Sequence, residues 1–446
     1  MAGAQDFTRG NIWRQMLIFS GPILLTNLLQ VSYQFVDSLW VGNLLGGNVL
    51  GAVAVSSTVV FTMLSFIIGI NNATLTVLSQ QKGKDDQEGL KRYLNAFIII
   101  LLLISAVMGT TSYIFAESII HFLGTPGVMV EDATVYLKIN SLGILFLMGY
   151  NFIGTVMRAL GDSRTPLRFV FLAVILNAVL DPVFISVFDW GIAGAAYATV
   201  ISQGIAFLYG VFLVLRQNLA PFSVPFLPTK NEVALILRLG IPSGLQMSVI
   251  SAGVAAIMSV VTSFGSDVVA GFSAAQRLDS VLMLPPMALA TAVNSMAGQN
   301  IGAKNWKRVH QITRYGFIFN TSIMLVVALL LVLFGEYGIK MFVQEEALVA
   351  FGEQYLRIIA FFYPFLGINF ILNGVVRASG AMYQVLLLNI ISFWVLRYPL
   401  TALCSSLFGE SGIAVGMGVS FVFSSIVATL YYKFGKWNTK QLFEGA

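Results

Sequence analysis

The stretch FLAVILNAVLDPVFISVF, Phe171 to Phe188, is almost wholly apolar, yet it carries one carboxylate, Asp181, with Asn177 one turn before it and Pro182 directly after. An apolar run of about 20 residues is the length of a helix that crosses a bilayer. The rest of the chain is built from the same material. Of its 446 residues, 57% are hydrophobic and 10% charged, where a soluble domain carries roughly a quarter charged. This is the composition of an integral membrane protein, not of an enzyme around one soluble core.

Twelve apolar stretches follow one another, at 16–41, 50–78, 93–116, 133–157, 166–188, 192–215, 235–263, 268–297, 312–334, 354–376, 382–407 and 411–434. Basic residues test that count. Lys82, Lys84, Lys91 and Arg92 fall in one connection, and Arg158, Arg164 and Arg168 in another. Arg216, Lys230 and Arg238, then Lys304, Lys307, Arg308 and Arg314, then Arg377, occupy further alternate connections. The tails add Arg9 and Arg14 at one end and Lys433, Lys436 and Lys440 at the other. The opposite connections (VGNLLGGN, SFGSD, FGESG) are nearly free of basic residues. By the positive-inside rule both termini and the basic loops face the cytoplasm. The acid-bearing connections around Glu117–Glu131 and Glu336–Glu353 then lie outside, in agreement.

The N-terminus, MAGAQDFTRGNIWRQ, is polar and has no signal-peptide pattern, so the first apolar segment is expected to stay in the mature chain. A single cysteine, Cys404, excludes an internal disulfide and a thiol cluster. The two histidines, His121 and His310, fall near predicted loops, which argues against a histidine-rich metal site. The net charge of +5 is spread over short loops rather than gathered on one basic, aromatic-bearing surface. No nucleic-acid partner is expected.

The chain repeats itself. GPILLTNLLQ at Gly21 matches IPSGLQMSVI at Ile241, with Pro22 against Pro242. NVLGA at Asn48 matches DVVAG at Asp267, and SQQKGK at Ser79 matches GQNIGAK at Gly298. NFIGTVMRALG at Asn151 matches NFILNGVVRASG at Asn369, and WGIAGAA at Trp190 matches SGIAVGM at Ser411. The offset stays near 219 residues. The expected fold is therefore an all-α polytopic membrane protein of 12 transmembrane helices in two six-helix bundles. With an even number of spans in each, the bundles are parallel repeats related by a pseudo-twofold axis along the membrane normal. The bundles span residues 1–215 and 233–446. The proline-bearing connection RQNLAPFSVPFLPTKNE, 216–232, joins them in the cytoplasm. Such a duplication is a transporter signature, with two bundles rocking about a cavity. A duplicated channel or a scaffold is the alternative.

An ionisable residue at membrane depth marks a functional site by default. Comparing the halves sharpens this. Asp181-Pro182 aligns with Tyr398-Pro399, and Asp37 in YQFVDSLWVG falls opposite Ala256 or Ile257. Both acids are absent from the second half, so the fold does not require them. Asn177 and Asp181, four apart, share one helix face. Pro182 lacks an amide hydrogen, frees the carbonyl of Ala178 and is able to kink the helix. Burial disfavours the charged form of a carboxyl, so an acid in this setting is able to take up and release a proton. The same oxygens suit Na⁺, a hard cation. Residue types do not choose between H⁺ and Na⁺. The competing readings are a local cap or pairing for Asp181 and a wet outer mouth for Asp37. In the second half, Arg277 and Asp279 are two apart and do not face each other. A pairing of Asp279 with Arg397 across helices is as reasonable as a transport role. Lys138 is placed to snorkel to the interface.

The duplication, the GP opening of helix 1, VMRALGD after helix 4, N-x-x-x-D-P in helix 5 and the GxAxAT pattern of helix 6 resemble the multidrug and toxic compound extrusion (MATE) transporters, nearest to the DinF-like branch. The resemblance covers essentially the whole chain. It implies a cation-coupling site for H⁺ or Na⁺ at Asp37, Asn177, Asp181 and, from GAAYATVIS in helix 6, Thr199. It implies helix bending at Pro22 in helix 1, beside the kink expected at Pro182. The chain departs from the NorM-like branch, which uses a glutamate in helix 7 and an aspartate in helix 10. The nearest acids here are Glu232 and Glu353, at the starts of those helices, so a second-half cation site of that type is not expected. The implied activity is export of amphipathic, often cationic small molecules by alternating access in exchange for inward H⁺ or Na⁺, with no cofactor. The implied setting is the plasma (inner) membrane, as a multi-pass monomer in the lipid bilayer. Adaptable side chains suit varied ligands; the candidates are Asp37, Met63, Phe66, Phe152, Met283 and Met287. Rival readings are a flippase or exporter of an endogenous lipid-linked or metabolite substrate, disfavoured because only Arg277 and Arg397 would line its cavity, and an ion channel. An intramembrane enzyme is disfavoured by the absence of histidine at membrane depth.

Overall fold

The computed structural model describes residues 4–223, 225–342, 345–439 and 442–443. Lys440, one of the basic tail residues, lies outside them. Among the described residues there are helices and no strand. The first half contains α1 (Ile12–Leu45), α2 (Gly47–Gly83), α3 (Gln87–Ile114), α4 (Ala116–Phe122), α5 (Gly127–Leu142), α6 (Ile144–Ala159), α7 (Arg164–Pro182) and α8 (Gly191–Arg216). The second contains α9 (Lys230–Thr262), α10 (Ser266–Leu282), α11 (Leu284–Gly302), α12 (Trp306–Lys340), α13 (Glu346–Ala360), α14 (Tyr363–Ala378), α15 (Met382–Ile390), α16 (Tyr398–Phe408) and α17 (Ser411–Phe434).

Among the described residues ten spans are long and apolar enough to cross a membrane, or twelve if each of two bent pairs counts as one. The bent pairs are α5 with α6, at 51°, and α13 with α14, at 57°. They replace the fourth and tenth spans expected as single helices. Gly143 sits at the first bend, where a Cβ would come 2.4 Å from the Val200 side chain. Pro364, in the first turn of α14, lacks the amide that would continue α13. Around α4 the expected outer loop is helical. His310, expected near a loop, lies inside α12 and pairs with the Tyr432 hydroxyl at 2.6 Å.

Long rows of Leu, Val and Phe stay uncovered by protein, among them Leu102, Leu103 and Val107 on α3 and Leu325, Leu329 and Leu333 on α12. A bilayer covers such rows, and the helices satisfy their own backbone groups, as lipid requires.

The chain divides into two compact units. One comprises Gly21–Ile241, and the other Phe7–Ser20 together with the chain from Pro242 on. The chain thus changes unit beside the two matched prolines, Pro22 inside α1 and Pro242 inside α9. The 216–232 connection belongs to the first unit. Asn95 pins it there, donating to the Phe226 carbonyl at 2.5 Å and accepting the Phe226 amide at 3.0 Å. Glu232, buried, pairs with Arg92 at 2.7 Å and accepts the Thr229 amide at 2.8 Å.

In the second unit the N-terminal segment is held by Gln299, which accepts the Phe7 amide at 3.1 Å, by Asn300, which donates to the Phe7 carbonyl at 2.9 Å, and most of all by Arg308. Arg308 donates to the carbonyls of Phe7 (2.7 Å), Arg9 (2.8 Å) and Gly10 (2.9 Å) and to Gln15 Oε1 (3.0 Å). Phe7 itself is fully buried, edge-on to Phe19 at 4.8 Å. A charged donor to a neutral acceptor contributes about 1.5–3 kcal/mol. Arg308→Ala is therefore expected to loosen this segment, and limited trypsin digestion should cut faster after Arg9 and Arg14 than in wild type.

Candidate functional site

The acid in the opening stretch sits where α7 ends. Pro182 cannot donate to the preceding turn, and the helix continues as a π-helical turn, Val183–Val187, closed by the Phe188 amide on the Val183 carbonyl at 3.0 Å. Single π-turns inside helices often accompany functional sites. The second unit also has a π-helical segment, Ile391–Arg397, but there it lies before the matching proline, Pro399, rather than after it.

Asn177 and Asp181 are both fully buried, and Asn177 Nδ2 donates to Asp181 Oδ1 at 3.1 Å. Asp37, on α1, is buried too, and its carboxyl lies within hydrogen-bonding reach of that of Asp181. Thr199, on α8, is buried in the same cluster beside Tyr33. The structure thus brings Asp37, Asn177, Asp181 and Thr199 together from three helices of the first unit. Asp181 does pair locally, with Asn177 one turn before it, and the carboxyl of Asp37, from another helix of the same unit, lies beside that pair.

Each of the four has one buried oxygen without a hydrogen-bond partner: Asp37 Oδ1, Asn177 Oδ1, Asp181 Oδ2 and Thr199 Oγ1. An unsatisfied buried polar atom costs about 1–3 kcal/mol, so four in one cluster call for a proton, water or cation. Two carboxylates with amide and hydroxyl oxygens fit H⁺ or Na⁺. They do not fit a softer metal, which wants nitrogen or sulfur, and no group of three or more His, Cys, Asp or Glu is placed for metal binding among the described residues.

Three neighbours went unnoticed in the sequence. The Tyr33 hydroxyl is within 3.2 Å of Ser202 Oγ, which donates to the Thr199 carbonyl at 3.0 Å. Tyr136 on α5 is buried close to Asp37, Tyr33 and Asp181. Tyr33 is four residues before Asp37 and Ser202 three after Thr199, so helical spacing would have found both. Tyr136 carries no such signal. Tyr33→Phe removes one hydrogen bond, worth about 1 kcal/mol. It should slow the initial rate of dye transport roughly fivefold while leaving thermal melting nearly unchanged.

The other candidates scatter. Met63 and Phe152 are buried in the first unit, whereas Phe66 and Met287 are exposed. Met283 lines a cavity of the second unit. The expected pairing of Asp279 with Arg397 is not made: no ion pair joins them among the described residues. Asp279 accepts the Tyr363 hydroxyl, and Arg397 stacks on Phe393 and Phe421. Helical spacing gives the face of a residue, not the helix that meets it. Exposed Arg277 lies over Phe342, and Lys138 over Tyr113 at 5.9 Å. Glu232 and Glu353 are engaged locally, by Arg92 and by Arg357 at 2.6 Å. Neither contributes to a second-unit acid cluster.

The MatE family model matches residues 22–183 and again 242–403, so the two copies begin at the matched prolines, Pro22 and Pro242. The chain is 61% identical over 440 residues to a probable multidrug resistance protein of Bacillus subtilis, YpnP, covering 99% of both chains. It is 29% identical to a second from the same organism, YoeA, covering 98% of this chain and 97% of that one. A solved outward-facing multidrug resistance MATE transporter has the same fold, with a TM-score of 0.91, 24% identity and 97% of each chain covered. Two copies of one family model, a relative matched from end to end and a common fold agree: this chain belongs to the MatE family of multi-pass membrane transporters.

Proposed function

We propose that this chain exports amphipathic, often cationic small molecules in exchange for inward H⁺ or Na⁺, and that Asp37, Asn177, Asp181 and Thr199 bind the coupling ion. The observation that carries the reading is the set of four unpartnered buried oxygens on three helices of one unit. Its acids have no counterpart in the second repeat. The chain's relatives YpnP and YoeA, probable multidrug resistance proteins, support the substrate class.

Coupling requires the ion and the drug to favour different conformations. A carboxyl pair does this when ion binding joins what charge repulsion would separate. Tightening of α1 on α7 then alters the drug's surroundings, and the site opens alternately to the two sides. Pro22 and Pro182 are where these helices lack a backbone hydrogen bond and bend most readily. The alternation of basic loops supports both termini in the cytoplasm; a monomer in the inner membrane is part of the proposal.

The test is dye uptake into proteoliposomes under an imposed pH gradient, then under an imposed sodium gradient. Uphill uptake under one of them is the expected result and names the ion. Uptake that only equalises the dye under both would contradict antiport and favour a channel.

A further inference from the structure

The second unit holds a charged cavity of its own. It encloses about 120 Å³ and is lined by Gln276, Asp279, Met283, Tyr363, Arg397 and Phe421, among others. That is well above the ~15 Å³ that admits one water. Ile257, which also lines it, is one of the two residues that fall opposite Asp37 in the repeat, and Arg397 falls one residue before the counterpart of Asp181. Where the first unit places two acids, the second places one arginine, with its carboxylate supplied from a different helix, α10.

The charges in this cavity are incompletely answered. Arg397 is only 6% exposed, and its Nε has no hydrogen-bond partner. Its guanidinium lies 3.9 Å from the Phe393 ring centroid and 4.6 Å from that of Phe421. Cation–π contacts fix its plane and return part of the desolvation cost, but they leave the forked edge that matches a carboxylate in shape. Asp279 is oriented by Tyr363. The two opposite charges share a cavity wall without pairing to each other.

We infer that this cavity is a binding site for zwitterionic ligands, in which Arg397 takes a carboxylate and Asp279, held by Tyr363, takes an ammonium or delocalised cation. A lone cation gains from Asp279 but is opposed by Arg397. The site therefore selects against the simple cations that an acid cluster alone would favour. The inference rests on the export reading above for its physiological meaning, not for its test.

The test uses purified full-length protein and a matched ligand pair small enough for a cavity of about 120 Å³: β-alanine, a zwitterion, and its methyl ester, a cation on the same chain. Equilibrium binding is read by isothermal titration calorimetry. Loss of one partner of a buried charged contact costs 2 kcal/mol or more, so wild type should prefer the zwitterion by about thirtyfold or more. Arg397→Gln should abolish that preference and leave ester binding unchanged or tighter. Arg397→Lys should restore part of it, and Asp279→Asn should weaken both ligands. Equal affinity of wild type for the two ligands, or binding of neither, overturns the proposal without any variant, so misfolding of Arg397→Gln does not rescue it. So does an Arg397→Gln protein with wild-type melting that loses both ligands alike, which makes Arg397 a packing residue. Absence of ion-driven uptake in proteoliposomes, with the ligand preference intact, contradicts only the export reading. Intact uptake without the preference contradicts only this one.

Discussion

Asp181→Asn protein is expected to fold, enter the membrane and bind dye, but its ion-driven dye uptake should fall to the level of protein-free liposomes. The substitution keeps the side-chain volume and leaves Asn177 an amide to pair with, so the buried cluster is preserved in shape. What it removes is the group able to exchange a proton or hold a cation. Asp37→Asn should have the same outcome, because its carboxyl lies within reach of that of Asp181 and the proposed site uses both to hold the ion. The double variant should be no worse than either single one, since residues of one network do not add. Uptake rates from proteoliposomes and dye affinity in detergent separate lost coupling from lost binding. Wild-type uptake by either single variant would remove that acid from the coupling site.

The largest effect on stability is expected at a glycine far from this cluster. In α17 a Cβ on Gly412 would lie 2.0 Å from the Cys404 carbonyl oxygen, and one on Gly416 would lie 2.5 Å from that of Leu400. Gly412 and Gly416 are four apart and form one face, the small-residue spacing that lets membrane helices approach closely. The obstacle is backbone of α16, which has no rotamer to change. Gly412→Leu is therefore expected to cost more than ~3 kcal/mol and to remove nearly all monodisperse protein from a detergent extract, as read by size-exclusion chromatography. Gly21→Leu, at a position with open space around its Cβ, is the control and should extract like wild type.

These two sites also show what the sequence conveys. The spans were legible because lipid demands about 20 apolar residues per helix, and the duplication was legible as paired motifs. The acid cluster was legible because an ionisable residue at membrane depth is expensive and the second repeat lacks it. The bends in the fourth and tenth spans were not, since hydropathy runs unbroken through Gly143 and through Phe361–Phe362. Pro364, in the first turn of α14, is the local signal for the second bend. The pairing of Asp279 with Tyr363 rather than Arg397 was hidden for another reason. Periodicity tells which residues share a face, while partners on other helices are set by packing. The tight glycines of α17 belong to the same class.

The most direct test of the central claim reverses the usual experiment. Sealed proteoliposomes are given a drug gradient and no ion gradient, and ion movement is followed with an entrapped pH dye and with radioactive sodium. Antiport through the acid cluster predicts that the drug gradient drives H⁺ or Na⁺ in the opposite direction in wild type, and not in Asp37→Asn or Asp181→Asn. Dissipation of the drug gradient in wild type with no movement of either ion would contradict it.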